Sequence, residues 1–269
     1  MAKRGWLLSS VSIVSLLSGS CGLAFAADPY ATPAGLPAVS AVNGNIGAFI
    51  GGLGDNFTAG TTGSFAVPLS ARWGGQIDDM LGSAGGTGFY GIGGHLFTRD
   101  PAKGLLGAYA SYAGWDSGLA SGTNSGKLGV EGESYLGRIS LEGIAAYQLG
   151  TYEGPAGKAT VAFYPTDNLR LDLSYSHSAR PFDTVTAGVE WSPTASNISL
   201  FADASAISGG DWAALVGLKN YFGASQKSLI RRDREDDPPD LLPDDLYSAI
   251  GMGCPPGTHE FNCFCDGNL

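Results

Sequence analysis

Only 15% of the 269 residues are charged, and beyond the first segment no apolar run reaches the roughly eighteen residues that a membrane-spanning helix needs. Helical membrane spans are therefore excluded. Histidine (3) and cysteine (4) are scarce, which leaves little material for a His/Cys metal centre, and no metal or cofactor is expected. Cations are in deficit as well: 15 Lys plus Arg stand against 25 Asp plus Glu, a net charge of −10 that argues against nucleic acid as a partner. What the chain has instead is glycine, 42 residues of it, and a two-residue alternation of apolar with polar side chains.

The N-terminus reads as a secretory signal over residues 1–26. Lys3 and Arg4 precede the apolar stretch Trp6 to Leu17, and Ala24-Phe25-Ala26 offers a small-x-small cleavage site. Cys21 is a poor lipidation site, because Ser18 stands where a lipoprotein box normally carries Leu. Cleavage leaves 13 cations against 25 acids, a net charge of −12, and keeps Cys254, Cys263 and Cys265 as disulfide candidates. The pairing stays open, since Cys263 and Cys265 are too close in sequence to bridge easily. Residues 27–41, rich in Ala and Pro, read as an exported linker with no fold of its own.

The clearest alternation lies between Gly126 and Leu149. Lys127, Glu131, Glu133 and Tyr135 point one way and Leu128, Val130 and Leu136 the other; beyond Gly137-Arg138, Ile139, Leu141 and Tyr147 oppose Ser140, Glu142 and Gln148. That is a β-hairpin with one apolar and one charged face, and its strands are long enough to cross about 30 Å of hydrocarbon at a tilt. Strands of the same kind are predicted near 44–52, 63–68, 72–82, 87–98, 104–115, 126–136, 139–149, 157–165, 168–177, 184–192, 197–206 and 211–222. The fold class is all-β: a closed up-and-down antiparallel transmembrane β-barrel over 42–222, with about 12 strands and 10 as the alternative. Connections are expected to alternate between compact turns and longer loops, with both termini on the compact-turn rim.

A closed barrel cannot bury its outer face in its own core, so lipid is the natural solvent for the apolar row. The inward row then holds Arg72, Gln76, Asp78, Lys127, Glu131, Glu133, Glu142, Lys158, Arg170, Asp172, Glu190, Asp203 and Lys219 as lumen-lining residues, with His95 inside as a hydrogen-bonded partner. Tyr90, Trp73, Trp115, Tyr175, Trp191, Trp212 and Phe222 suit interfacial girdles. Residues 223–269 change abruptly in composition, with Arg231-Arg232-Asp233-Arg234-Glu235-Asp236 and then an acidic run; they read as a solvated tail outside the barrel.

On its signal peptide, strand repeat and terminal Tyr221-Phe222, the chain resembles bacterial outer-membrane β-barrels. More narrowly, Gly93-Gly94-His95-Leu96-Phe97-Thr98-Arg99-Asp100-Pro101, Tyr135-Leu136-Gly137-Arg138, Tyr164-Pro165-Thr166-Asp167-Asn168-Leu169 and Lys227-Ser228-Leu229-Ile230-Arg231-Arg232 look like exported, uncharacterised barrel proteins of alphaproteobacteria. The resemblance implies the outer membrane as location, outer-membrane lipid and the barrel-assembly machinery (through the strand ending at Phe222) as partners, and a periplasmic tail. It implies no activity, and the oligomeric state stays open. The leading function expected is a structural barrel or narrow passive pore with an acidic bias. The alternatives are an adhesion barrel acting through loops 53–62 and 116–125, and a lipid hydrolase. The last is disfavoured, because His177-Ser178-Ala179-Arg180 lacks the His-x-Ser-Asn arrangement of such enzymes, so no catalytic residue is assigned.

Overall fold

The computed structural model describes residues 35–116, 123–179, 183–193, 196–208, 210–223, 226–236, 238, 259–261 and 264–266. Alternation fixes two faces on each of twelve strands: β1 (Asn43–Leu53), β2 (Asn56–Pro68), β3 (Trp73–Ala84), β4 (Thr87–Asp100), β5 (Gly104–Asp116), β6 (Thr123–Leu136), β7 (Ile139–Gly150), β8 (Gly154–Thr166), β9 (Leu169–His177), β10 (Asp183–Trp191), β11 (Ile198–Ile207) and β12 (Trp212–Phe222). Each pairs antiparallel with the next. β12 returns to β1, from Gly44 opposite Phe222 to Leu53 opposite Ala213, so the sheet closes into a barrel with no free edge. Twelve strands are thus observed, and the ten-strand alternative falls. Because twelve is even, the chain enters and leaves at one rim, the terminus rim.

The expected contrast between compact and longer connections is not seen among the described residues. Leu53 pairs with Asn56 and Ala84 with Thr87, so the far rim also carries two-residue turns. Gly54 (φ 53°) and Gly85 (φ 56°) supply the left-handed backbone that such turns need. The proposed adhesion loop 53–62 is therefore mostly strand: residues 56–62 pair with β1 and from Thr58 onward also with β3. Of the second loop, 117–122 lie outside the described residues, and the flanking positions belong to β5 and β6.

The outward row is apolar and open to the surroundings: Ile46, Ile50, Ile77, Leu81, Leu128, Val130, Ile139, Leu141, Leu173, Val216 and Leu218 are all exposed. Trp73, Tyr90, Tyr175, Trp191, Trp212 and Phe222 are exposed near strand ends, as a girdle requires. Trp115 is the exception. It shares the parity of buried Tyr109 and Ala113 and points inward, against Phe89 at 5.1 Å between rings.

The interior is not uniformly polar. Near the far rim Phe49, Leu53, Met80, Ala84, Phe89, Trp115, Ala213 and Leu215 form an apolar cluster that fills the β1, β3–β5 and β12 side. Burial of this size inside a barrel contributes on the order of 1.5–3 kcal/mol per large side chain. The remaining side keeps the charges.

Both chain flanks also fold, against expectation. Val39 is fully buried with Ala66, Phe97 and Leu105, so the linker ends as a packed segment rather than a free one. Residues beyond β12 form α1 (Leu229–Glu235), whose Leu229, Ile230, Arg232, Arg234 and Glu235 are buried. The tail is not a solvated tether at this point: it re-enters the barrel. Further on, β13 (His259–Phe261) pairs with β14 (Phe264–Asp266), and Cys265 lies in β14. Cys254 and Cys263, like the signal segment 1–26, lie outside the described residues.

Candidate functional site

Inward-facing side chains of β7 to β12, with β1 to β3 beside them, enclose a chamber of about 140 Å³. Its charged wall is Glu142, Lys158, Arg170, Asp172, Glu190, Asp203 and Lys219; Phe49, Met80, Phe201 and Leu215 face them. Asp233 and Pro238, from the chain beyond β12, close one end. A residue two positions along a strand returns to the same face. That is how Arg170 and Asp172 on β9, and Glu142 on β7, come to share this space.

The charges in it are tied to one another. Arg170 Nη2 donates to Glu142 at 3.1 Å, Nε to Asp172 at 3.4 Å and Nη1 to Asp233 at 3.0 Å. The Tyr164 hydroxyl donates to the same Asp233 carboxylate. Glu190 accepts from Lys219 Nζ at 3.0 Å and from the Tyr221 hydroxyl at 2.6 Å. Lys219 also lies 5.4 Å from the centre of the Phe201 ring. Three carboxylates around one guanidinium hold the group in place, since a buried charge without a partner is far costlier than a paired one.

A second network lies in the β3–β6 wall. His95 Nε2 is 2.8 Å from Asp78 Oδ2, and Nδ1 is 2.7 Å from Glu131 Oε2, all buried. The ring tilts against Tyr109 at 4.9 Å. Gln76 Nε2 donates to Asp78 at 2.9 Å and to the Pro238 carbonyl at 3.1 Å. The re-entering chain is thus bonded to this network as well. Glu133 accepts from the Tyr135 hydroxyl at 2.6 Å and, with Glu131 and Glu142, lines a smaller recess beside Pro238.

Of the residues assigned to the lumen from sequence, Asp78, Glu131, Glu133, Glu142, Lys158, Arg170, Asp172, Glu190, Asp203 and Lys219 occupy the interior positions just given. Lys127 is half-buried on the same face of β6, further toward the far rim. Arg72 is not among them: it is exposed in the turn between β2 and β3, one residue before the strand begins.

The stopper at the terminus rim was not legible as such. Ile230 packs on Ala162 and Tyr164, inside the barrel. Arg234 Nη2 donates to the carbonyls of Gly137 at 2.6 Å and Ile139 at 3.3 Å, and its guanidinium lies 5.0 Å from the centre of the Tyr135 ring. Arg232 donates to Asn197 at 3.1 Å and lies over Tyr221 at 4.5 Å. Lys227 pairs with Glu235 and Asp236 at 3.0 and 2.7 Å. Ser40 donates its hydroxyl to Asp236 and its backbone N–H to the Glu235 carbonyl. N- and C-terminal flanks therefore meet across the mouth, Val39 covering the β2–β5 side and α1 the rest.

On the outer surface, His177 Nδ1 is 2.9 Å from Asp183 Oδ1, and the Tyr175 hydroxyl donates to the same oxygen at 2.8 Å. Ser178 turns the other way and is buried. A nucleophile and its base must share one face, and these do not.

No protein-family model matches the chain, and a comparison with curated proteins gives no match. Solved structures do match. The KdgM porin shares 10% identity with a TM-score of 0.53, over 66% of this chain and 99% of that one. An outer membrane channel from Pseudomonas putida F1 shares 12% at 0.50, over 74% and 99%. Outer membrane phospholipase A from Escherichia coli shares 12% at 0.50, over 67% and 96%. Identities this low establish the fold alone, a closed antiparallel β-barrel that those outer-membrane proteins, among them a porin, a channel and a phospholipase, share.

Proposed function

We propose that the chain is a narrow passive pore of the outer membrane, held shut at the terminus rim by its own α1. The observation that carries this reading is the chamber: a charged interior of about 140 Å³ that ends on Asp233 and Pro238 instead of opening to the rim. Twelve strands lie between barrels that side chains fill and barrels with wide channels. Four acids against three bases in the chamber wall give an opened path a weak preference for cations. The pore suits ions and small polar solutes, and the outward apolar row with its aromatic borders supports placement in a bilayer. In this reading β12, ending on exposed Phe222, is the strand offered to the assembly machinery, and the terminus rim with residues 223–269 faces the periplasm.

Planar-bilayer recording tests it. Full-length protein is expected to be nearly silent, and a chain ending at residue 226 to conduct in small steps with reversal potentials favouring cations. A folded, truncated barrel that stays silent would refute the pore.

A further inference from the structure

Asp78 and Asp79 are adjacent in a strand, so alternation sends them to opposite faces. Asp78 takes the interior beside His95. Asp79, midway along β3, therefore points outward and is exposed, between Ile77 and Leu81 on its own strand and opposite Ile92 of β4. Trp73, at one end of this row, and Tyr90, opposite Leu81, mark the aromatic borders on either side. The carboxylate thus stands inside the apolar belt. Among the described residues it is the one charged side chain on the outward row away from a strand end, and it has no hydrogen-bond or ion-pair partner there. A bare carboxylate in hydrocarbon is unfavourable, and in membrane proteins such groups mark contacts or pathways.

The surface is low on one side of it, toward β2 and β1, while Ile77, Leu81 and Ile92 stand exposed on the other. Gly63 lies directly across on β2, and Asp79 Oδ1 occupies the space its side chain would take, 2.4 Å from where a Cβ would stand. Ala48 and Ala59 extend the patch over β1 and β2. Thr61, the next outward residue after Gly63, is exposed, and its hydroxyl also has no partner among the described residues.

We propose that this patch is a two-fold interface between two copies of the chain, in which Asp79 of each accepts a hydrogen bond from Thr61 of the other. No described outward residue within the belt is a cation, so a second copy cannot answer Asp79 with an ion pair. It can answer with a hydroxyl. Acceptor and donor stand diagonally across adjacent strands, Thr61 two residues from the Gly63 that faces Asp79, the self-complementarity that a two-fold contact requires. Gly63, Ala59 and Ala48, the small residues beside Thr61, let the two walls approach closely at this point, which is how surfaces associate in lipid without a hydrophobic driving force. The interface rests on the barrel lying in a bilayer.

Sedimentation equilibrium of the full-length protein in detergent, over a hundredfold dilution, reads the result. A dimer is expected. Asp79→Leu and Thr61→Val should each weaken it at least tenfold, with the double variant no weaker than the worse single one. Asp79→Asn keeps an acceptor and should keep the dimer. Gly63→Leu displaces only the carboxylate tip and should give a monomer whose band in unheated gels stays compact. A wild-type chain that is monomeric throughout, or a dimer indifferent to Asp79→Leu and Thr61→Val, overturns the interface. A wild-type chain that fails to enter lipid vesicles overturns the membrane placement instead, and the interface with it.

Discussion

Replacing Asp233 by Asn should loosen the stopper without removing it. The carboxylate accepts from Arg170 Nη1 at 3.0 Å and from the Tyr164 hydroxyl, with side chains only 18% and 11% exposed for the acid and the arginine. Breaking a buried ion pair by deleting one partner typically costs about 3–5 kcal/mol, because the survivor is stranded. Arg170 is not stranded here, since Glu142 and Asp172 remain at 3.1 and 3.4 Å. The applicable loss is that of one charge-assisted hydrogen bond, about 1.5–3 kcal/mol. At about 1.4 kcal/mol per tenfold, the ratio of open to closed barrels should rise by roughly ten- to a hundredfold. Single-channel recordings of Asp233→Asn should therefore show brief openings between the silence of the full chain and the steady conduction of the truncated one. An open probability equal to that of the wild type, in a preparation where truncation conducts, would refute Asp233 as the latch and leave Arg234 at the Gly137 carbonyl as the main tie.

Three further outcomes follow from the same geometry. His95→Ala leaves Asp78 and Glu131 facing each other in the wall without the group between them, and should lower barrel stability by about 3–5 kcal/mol in a urea titration from lipid vesicles. Gly107→Ala should also destabilise, by about 1–3 kcal/mol. Its Cβ would stand 2.6 Å from Glu131 Oε1, 2.8 Å from Phe97 Cβ and 3.0 Å from the Leu96 carbonyl, and two of these three cannot swing away. Docking of α1 should be acid-labile. Burial pushes the Glu235 carboxyl up, but the Arg231 and Lys227 donors outweigh that and hold it below its ordinary 4.5. The stabilisation it lends is complete above about pH 4.5 and is lost as pH falls through the lower folded value. Protease cleavage within 227–238 should accordingly accelerate on acidification below that range and stay flat above it.

The β6–β7 hairpin was legible in the sequence because Leu128, Val130 and Leu141 contrast sharply with Glu131, Glu133 and Glu142 across one period. The start of β2 was not. Asn56 to Thr62 alternate only Phe57, Ala59 and Thr61 with Thr58, Gly60 and Thr62, a contrast too weak to separate strand from loop. Trp115 carried its inward parity openly, yet its place at a strand end suggested a girdle; what decided otherwise was the space beside Phe89, a tertiary fact. α1 hid behind its charges. Four of its seven residues are Arg or Asp, a composition that usually means solvent, and only the mouth formed by Tyr164, Arg170 and Asn197 turns them into buried ties. Its Arg231–Glu235 pair at i, i+4 was the available helix signal. Asp79 was legible too, since two adjacent acids inside a strand must part.

The seam where β12 meets β1 also sets an order of events. The seat of α1 draws Ala162 and Tyr164 from β8, Asn197 from the turn before β11, and Ser40 from just ahead of β1. These stand together only once Gly44 has come opposite Phe222. A sheet that is still open has no such seat. Docking of the C-terminal flank is therefore completed only by closure, and a chain whose Asp236 has found Ser40 is one whose first and last strands have already met. The element that shuts the barrel also records that its assembly is finished.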